Sequence, residues 1–205
     1  MIRQRLNGFE TNFKIVNMKI AYIFFKDITW LDFVGVYDPV SRLKHMNYVP
    51  DLEWDFCAYD SEVRDHYGLG FQPQYIDTTL ADYDVIIVPG GYGTRSLLND
   101  PGFMKWLKTA ERVPLKISIC TGSLLLGASG FLKNKKATTH FSEYDTLKNY
   151  CGEVIRERIV EDKGLITAGA VTSSITIIHG SVRAPLSCPR GLPRCEVRAD
   201  ACNRS

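Results

Sequence analysis

The run Leu115 to Gly130, Leu-Lys-Ile-Ser-Ile-Cys-Thr-Gly-Ser-Leu-Leu-Leu-Gly-Ala-Ser-Gly, constrains the fold more than any other stretch. A short β-branched strand turns through Cys120-Thr121-Gly122 into a leucine-rich helical segment closed by Gly130. A strand that becomes a helix so directly belongs to a β-α alternation, and such alternation builds a mostly parallel sheet covered by helices. A cysteine at the junction lies beside N–H groups with no intrahelical partner, which favour a thiolate. Cys120 is therefore expected to have a lowered pKa and to act as a nucleophile. The plainer reading is a small core residue at a strand end, the usual fate of a free cysteine.

The same alternation extends along the chain. Met18 to Phe25 reads as a buried strand, and Thr29-Trp30-Leu31-Asp32 has the form of a capping box opening a helix toward Lys44, with Pro39 expected to kink or interrupt it. Leu52 to Tyr59 is a second strand, followed by a polar stretch with Gly68 and Gly70 that reads as a hairpin or an irregular excursion. Tyr83 to Val88 is the clearest buried strand and runs directly into Pro89-Gly90-Gly91-Tyr92-Gly93. Asp100-Pro101 starts a helix whose Phe103, Trp106, Leu107 and Ala110 share one face before Pro114.

Beyond Gly130, Ser142-x-x-Asp145 offers another capping box, with Tyr144, Leu147 and Cys151 on one helical face and Gly152 placed to end it. Ile155 to Val160 and Leu165 to Ala168 read as strands joined by a tight turn at Asp162-Lys163-Gly164. Thr172 to Ile175 begins a helix that does not continue, because Gly180, Pro185, Pro189, Gly191 and Pro193 interrupt the chain beyond it.

These shifts divide the 205 residues into an expected disordered extension (1–17), one α/β domain (18–175) and an atypical Pro-, Gly- and Arg-containing tail (176–205). No apolar run is long enough to span a bilayer, and residues 1–17 lack the central apolar block of a secretory signal, so a cytoplasmic protein without a membrane partner is expected. Six cysteines show neither a C-x-x-C pair nor zinc spacing with histidine, which signals no metal site and no disulfide framework. The net charge of +2 belongs to the tail, where five arginines from Ser181 onward face only Glu196 and Asp200. A body near neutrality predicts no nucleic-acid partner.

Three loops, Lys26 to Asp32, Pro89 to Gly93 and Cys120 to Gly122, fall at the C-terminal ends of predicted parallel strands, where open α/β sheets bind ligands. Gly90 and Gly91 let the backbone approach a small substrate. An N–H there, with that of Thr121, is expected to line a pocket for developing negative charge. The glycine loop matches neither the dinucleotide nor the P-loop pattern.

Together, Thr-Trp-Leu-Asp-Phe at Thr29 to Phe33, Val-Pro-Gly-Gly-Tyr-Gly at Val88 to Gly93, Ile-Cys-Thr-Gly-Ser at Ile119 to Ser123, Ala-Thr-Thr-His at Ala137 to His140 and Ile-Thr-Ala-Gly-Ala at Ile166 to Ala170 resemble the DJ-1/PfpI superfamily. Within it, the Cys-Thr-Gly form and the Leu-Asp-Phe acid are similar to isonitrile hydratases and to the sensor domains of certain AraC-type regulators. The resemblance covers roughly Met18 to Ile175. It implies a flavodoxin-like three-layer sandwich, a homodimer, a small-molecule substrate, no cofactor, and a nucleophilic cysteine at a strained strand-to-helix elbow.

By that resemblance Cys120 takes the nucleophile position, Asp32 that of its acidic partner and Thr121 that of the threonine accompanying the cysteine. Asp32 also fits a helix cap, and both roles can hold at once. His140 is the tempting third member of a site, but it follows a separate predicted strand, and a packed or surface histidine is the commoner case. Protease-like relatives carry histidine directly after the cysteine; Thr121 in that place weakens the peptidase, amidase and glyoxalase readings.

The implied activity is cysteine-dependent addition of water to a small isonitrile, and the competing one is a ligand or redox sensor. An intact regulator would need a helix-turn-helix module, for which the irregular residues after Ile175 leave no expected room. Relatives continue past this point with a long amphipathic helix, so a disrupted C-terminal helix, from a shifted frame or a truncated paralogue, is expected here.

Overall fold

The computed structural model describes residues 18–170. The β-branched and aromatic runs form the strands. Met18–Phe24 (β1), Leu52–Ala58 (β2), Tyr75–Ile76 (β5), Val85–Val88 (β6), Leu115–Ile119 (β7), Ile159–Glu161 (β10) and Leu165–Ala168 (β11) make a seven-stranded sheet of order β10-β11-β7-β6-β1-β2-β5. All pairings are parallel except β10 with β11. Ala21 to Phe24, Val85 to Val88 and Leu165 to Ala168 are buried at every position. Such continuous burial means that both faces of the sheet are covered.

Trp30–His45 (α1) covers one face. Tyr22 and Phe24 of β1 and Phe56 of β2 meet Phe33 of α1 with ring centres 4.8 to 5.9 Å apart. Pro101–Lys108 (α3), extended by a 3-10 turn at Thr109–Arg112, covers the other face, where Phe103 and Trp106 pack against Tyr59 just beyond β2. Asp100 starts α3 as read from the sequence: its Oδ1 accepts the Gly102 and Phe103 N–H groups at 2.9 and 3.0 Å. The expected one-sided face is also present, with Phe103, Trp106, Leu107 and Ala110 all buried. The three-layer α/β sandwich with a mostly parallel sheet is thus the fold of the described residues.

Several local expectations need correction. Of the two outcomes expected at Pro39, interruption does not occur: α1 runs through it, Phe33, Val36 and Val40 on both sides of the proline are buried, and this packing outweighs one missing hydrogen bond. The Ser142 capping box is not used. Instead a 3-10 turn at Phe141–Glu143, whose Ser142 N–H donates to His140 Nδ1 at 3.4 Å, leads into a single helical turn at Tyr144–Leu147 (α5).

Of the predicted strand Ile155 to Val160, Ile155 to Arg158 are irregular and only the last two residues are strand; the short strand before it lies outside the predicted range. Glu153–Val154 (β9) pairs with Lys136–Ala137 (β8) in a small parallel sheet, and only Ile159 onward joins the main one. The excursion with Gly68 and Gly70 is a hairpin, Val63–Arg64 (β3) against Gly70–Phe71 (β4). The extension 1–17, the domain end at Ile175, the helix start at Thr172 and the tail 176–205 lie outside the described residues.

What positions the site is a reversal in strand order. From β1 the chain first builds outward through β2 to β5, then crosses back to β6 on the other side of β1 and continues to β7. The loops after β1 and β6 therefore diverge, opening a crevice at the carboxyl edge of the sheet, where such folds bind ligands.

Candidate active site

The three loops singled out in the sequence meet at this crevice. Cys120 directly follows β7 with φ +53°, a left-handed conformation that a non-glycine residue adopts only under constraint. The constraint is visible: the Cys120 N–H donates to Ala168 O at 2.8 Å, and its carbonyl accepts the hydroxyls of Ser123 and Thr139 at 3.2 and 3.1 Å. The elbow holds the side chain between buried and exposed, and Gly122–Ala128 (α4) begins behind it.

The Asp32 carboxyl does not take part in a capping box. Thr29 is the N-cap of α1 but its side chain makes no capping bond, so the capping box is not formed. The carboxyl turns instead toward the loop after β6, where Oδ2 accepts the Gly90 N–H at 3.0 Å, while Oδ1 is buried and has no partner among the described residues. The Thr29 N–H donates to Gly90 O at 2.9 Å, so the same glycine is held from both sides by the start of α1.

Gly90 is the point where the three loops touch. A Cβ there would fall 2.8 Å from Asp32 Oδ2, from Cys120 Cβ and from Thr121 N, closer than atoms pack. Gly91 has φ +147°, which side chains avoid, and its N–H donates to Thr121 Oγ1 at 3.0 Å. The Gly90 and Gly91 N–H groups, read from the sequence as donors for developing negative charge, are thus committed to Asp32 and Thr121. Thr121 Oγ1 also lies 3.2 Å from Gly91 O, which ties the elbow to the glycine loop.

The electrostatics reverse the sequence expectation for Cys120. Burial, and after it the neighbouring Asp32 carboxylate, push its pKa up to about 12; the Thr121 N–H and hydroxyl and the charge of Arg95 pull the other way but do not prevail. The helix behind it is only two turns long, too short for its N-terminus to outweigh desolvation. Burial likewise raises Asp32 to about 7, against the opposing hydrogen bond from Gly90. The resting site therefore pairs a neutral thiol with a carboxyl group that exchanges its proton near neutrality. That is the equipment of an acid and a nucleophile that is activated only during reaction.

His140 does not complete a Cys-His pair with any hydrogen bond. Its Nδ1 is 2.9 Å from its neighbour Ser142 Oγ, and its ring lies 4.3 Å from Phe141. Three residues that the sequence reading passed over also belong here: Thr139, bonded to the Cys120 carbonyl, and the ion-paired Arg95 and Glu143. The available signal for Arg95 was a lone cation just after the glycine loop. Among the described residues no group of three or more His, Cys, Asp or Glu side chains is placed to hold a metal ion, and no helix is long and apolar enough to cross a membrane.

Comparison with known proteins agrees with this fold. The DJ-1/PfpI family model matches residues 18–183. The isonitrile hydratase of Pseudomonas putida is 34% identical over 163 residues, covering 77% of this chain and 68% of that protein. The crystal structure of a ThiJ/PfpI family protein from Pseudomonas syringae superposes with a TM-score of 0.70 at 28% identity, over 80% of this chain and 67% of the other. Schizosaccharomyces pombe DJ-1 shares the fold, with a TM-score of 0.65 at 20% identity over 84% of this chain and 100% of its own.

Proposed function

Because this chain belongs to the DJ-1/PfpI family, we propose that it uses Cys120 to add water to a small isonitrile, giving an N-substituted formamide. The observation that carries this reading is the neutral Cys120 thiol beside a carboxyl, Asp32, that titrates at about 7. The likeness to an isonitrile hydratase supports it.

An isonitrile R–N≡C bears a lone pair on its terminal carbon, and protonation there makes the same carbon a strong electrophile for a thiol nucleophile. Protonated Asp32 gives its proton to that carbon, and Cys120 attacks the same carbon while its own S–H proton passes to the Asp32 carboxylate. The result is a thioimidate, R–N=CH–S–Cys120, with Asp32 protonated again. Asp32 next protonates the imine nitrogen and takes a proton from the water that attacks the carbon. Collapse of R–NH–CH(OH)–S–Cys120 releases R–NH–CHO, and the hydroxyl proton returns through Asp32 to the thiolate. Each step uses a carboxyl that both gives and takes a proton near neutral pH, which is the range where general acid–base groups work best.

Thr121 acts by holding the glycine loop against the elbow and thereby setting where the water stands. Gly90 and Gly91 bind substrate by close backbone approach, with His140, one residue after Thr139, as a further substrate contact. The same reading takes the protein to be a cytoplasmic homodimer acting on a small molecule without a cofactor; sedimentation of the full chain tests its oligomeric state.

The test is turnover of an aliphatic isonitrile, followed by loss of its infrared stretch and appearance of the formamide, with methylglyoxal and a small amide as comparison substrates. Cys120→Ala is expected to abolish the reaction. Full turnover by both Cys120→Ser and Asp32→Asn would end the proposal.

A further inference from the structure

Two segments approach Cys120 from opposite sides, and one ion pair joins them. On the first side, the Gly90-Gly91 loop lies against Cys120 and continues into Thr94–Leu97 (α2), which carries Arg95; the Thr94 hydroxyl donates back to Gly91 O at 2.8 Å. On the second, Thr139 is bonded to the Cys120 carbonyl and the chain runs on through His140 and Phe141 to Glu143. Arg95 Nη2 donates to Glu143 Oε1. The other Glu143 oxygen accepts the Thr146 hydroxyl at 2.9 Å.

The pair is unequally covered: the Glu143 side chain is 13% exposed and that of Arg95 46%. A carboxylate so enclosed depends on its counter-charge. The Arg95 guanidinium also lies 5.5 Å from the centre of the Tyr92 ring. Tyr92 and Phe141, one on each segment, are both large and mostly exposed.

We propose that the Arg95–Glu143 pair is a charge-neutralised latch across the mouth of the Cys120 site and that, with Tyr92 and Phe141 as its lips, it selects uncharged apolar substituents on the substrate. Paired, the two charges largely offset each other for an incoming molecule, while the Arg95 charge still reaches Cys120. A free guanidinium would draw in a carboxylate, and a free Glu143 would repel it. The inference deepens the isonitrile reading and rests on Cys120 as its nucleophile: the substrate is R–N≡C with a neutral R group.

The experiment compares alkylation of Cys120 in the full chain by iodoacetamide, which is neutral, and iodoacetate, which is an anion, by mass spectrometry of the Cys120 peptide. In both reactions the thiolate displaces iodide, so any change in the thiolate fraction alters both rates equally and cancels in their ratio. Glu143→Gln is expected to raise the iodoacetate-to-iodoacetamide ratio about fivefold, and Arg95→Met to lower it by a similar factor. The double variant should return to the wild-type ratio, and Arg95→Lys, which keeps the charge, should stay near it. A merely structural pair would not move the ratio.

Ratios within about twofold of wild type in both single variants would overturn the latch. If Arg95→Met fails to fold, the contrast between Glu143→Gln and Arg95→Lys decides alone. A shifted ratio without isonitrile turnover supports the latch and removes the proposed reaction; turnover with an unmoved ratio removes only the latch.

Discussion

Asp32 Oδ2 accepts the Gly90 N–H at 3.0 Å, a bond that joins the first turn of α1 to the loop after β6 across 58 residues of chain. Gly90 in turn lies against Cys120 and Thr121. One glycine thus sets the position of the Asp32 carboxyl relative to the Cys120 thiol. The bond favours the ionised carboxylate, yet burial wins and holds the group at about 7.

Stability should therefore depend on the ionisation of Asp32. Its folded pKa of about 7 lies above its ordinary value of 3.8, so below 3.8 the group is protonated whether folded or not and burial of its charge costs nothing. As pH rises from there the unfolded chain releases the proton while the folded one keeps it, and stability falls until the folded group also ionises. The full loss is at most about 4 kcal/mol. An asparagine at this position would accept the same N–H without a charge, so Asp32→Asn should melt about 5 °C or more above wild type near pH 8 and close to it near pH 4. A wild type that melts higher than the variant near pH 8 contradicts this.

Turnover should follow the protonated fraction of Asp32. The rate is expected to fall as pH rises through about 7, and Asp32→Asn, which cannot give a proton, should lose about a hundredfold or more. A kcat/KM profile that stays flat on the alkaline side would show that the proton comes from elsewhere.

The Cys120 thiol is raised first by burial and next by the Asp32 charge. Removing that charge in Asp32→Asn should move the midpoint of its iodoacetamide pH–rate profile downward while leaving it on the alkaline side. An unchanged midpoint would mean that the two groups are not electrostatically coupled.

Gly90→Ala places a methyl group 2.8 Å from three atoms of the site, two of them on the rigid elbow. Relief requires the loop or the elbow to shift, at a cost of about 1 to 3 kcal/mol. Turnover should fall more than tenfold, since near-attack geometry is lost over displacements of this order. Urea unfolding and kinetics on the same preparation measure both; a variant equal to wild type in each would remove Gly90 from the site.

Asp100→Ala supplies the contrast. It removes the N-cap bonds to Gly102 and Phe103 at the start of α3 and should cost about 1 kcal/mol in urea unfolding. Turnover at a temperature where the variant is fully folded should match wild type, because Asp100 forms no part of the Cys120 site.

Much of the frame was legible because its signals are local. The runs read at Met18 to Phe25, Tyr83 to Val88 and Leu115 to Ile119 contain the strands Met18–Phe24, Val85–Val88 and Leu115–Ile119, and Asp100-Pro101 became a capped helix start. The fold misreadings are also local. Pro39 is tolerated because residues on either side of it pack on one sheet, and Ile155 to Arg158 stay out of the main sheet because the segment just before them, Glu153–Val154, pairs with β8 instead. Neither partner is visible from the segment itself.

The sequence by itself determined that Cys120, the Gly90-Gly91 loop and the segment ending in Asp32 stand at the same edge of a parallel sheet. Each follows a strand of obvious composition, and strand direction then places their loops together. Only the tertiary structure decided that the Asp32 carboxyl serves Gly90 rather than its own helix, and that Cys120 rests as a thiol. A carboxyl's direction depends on which distant N–H the fold presents to it. A pKa depends on how much water the whole surrounding structure excludes, and at Cys120 that desolvation outweighs the short helix behind it.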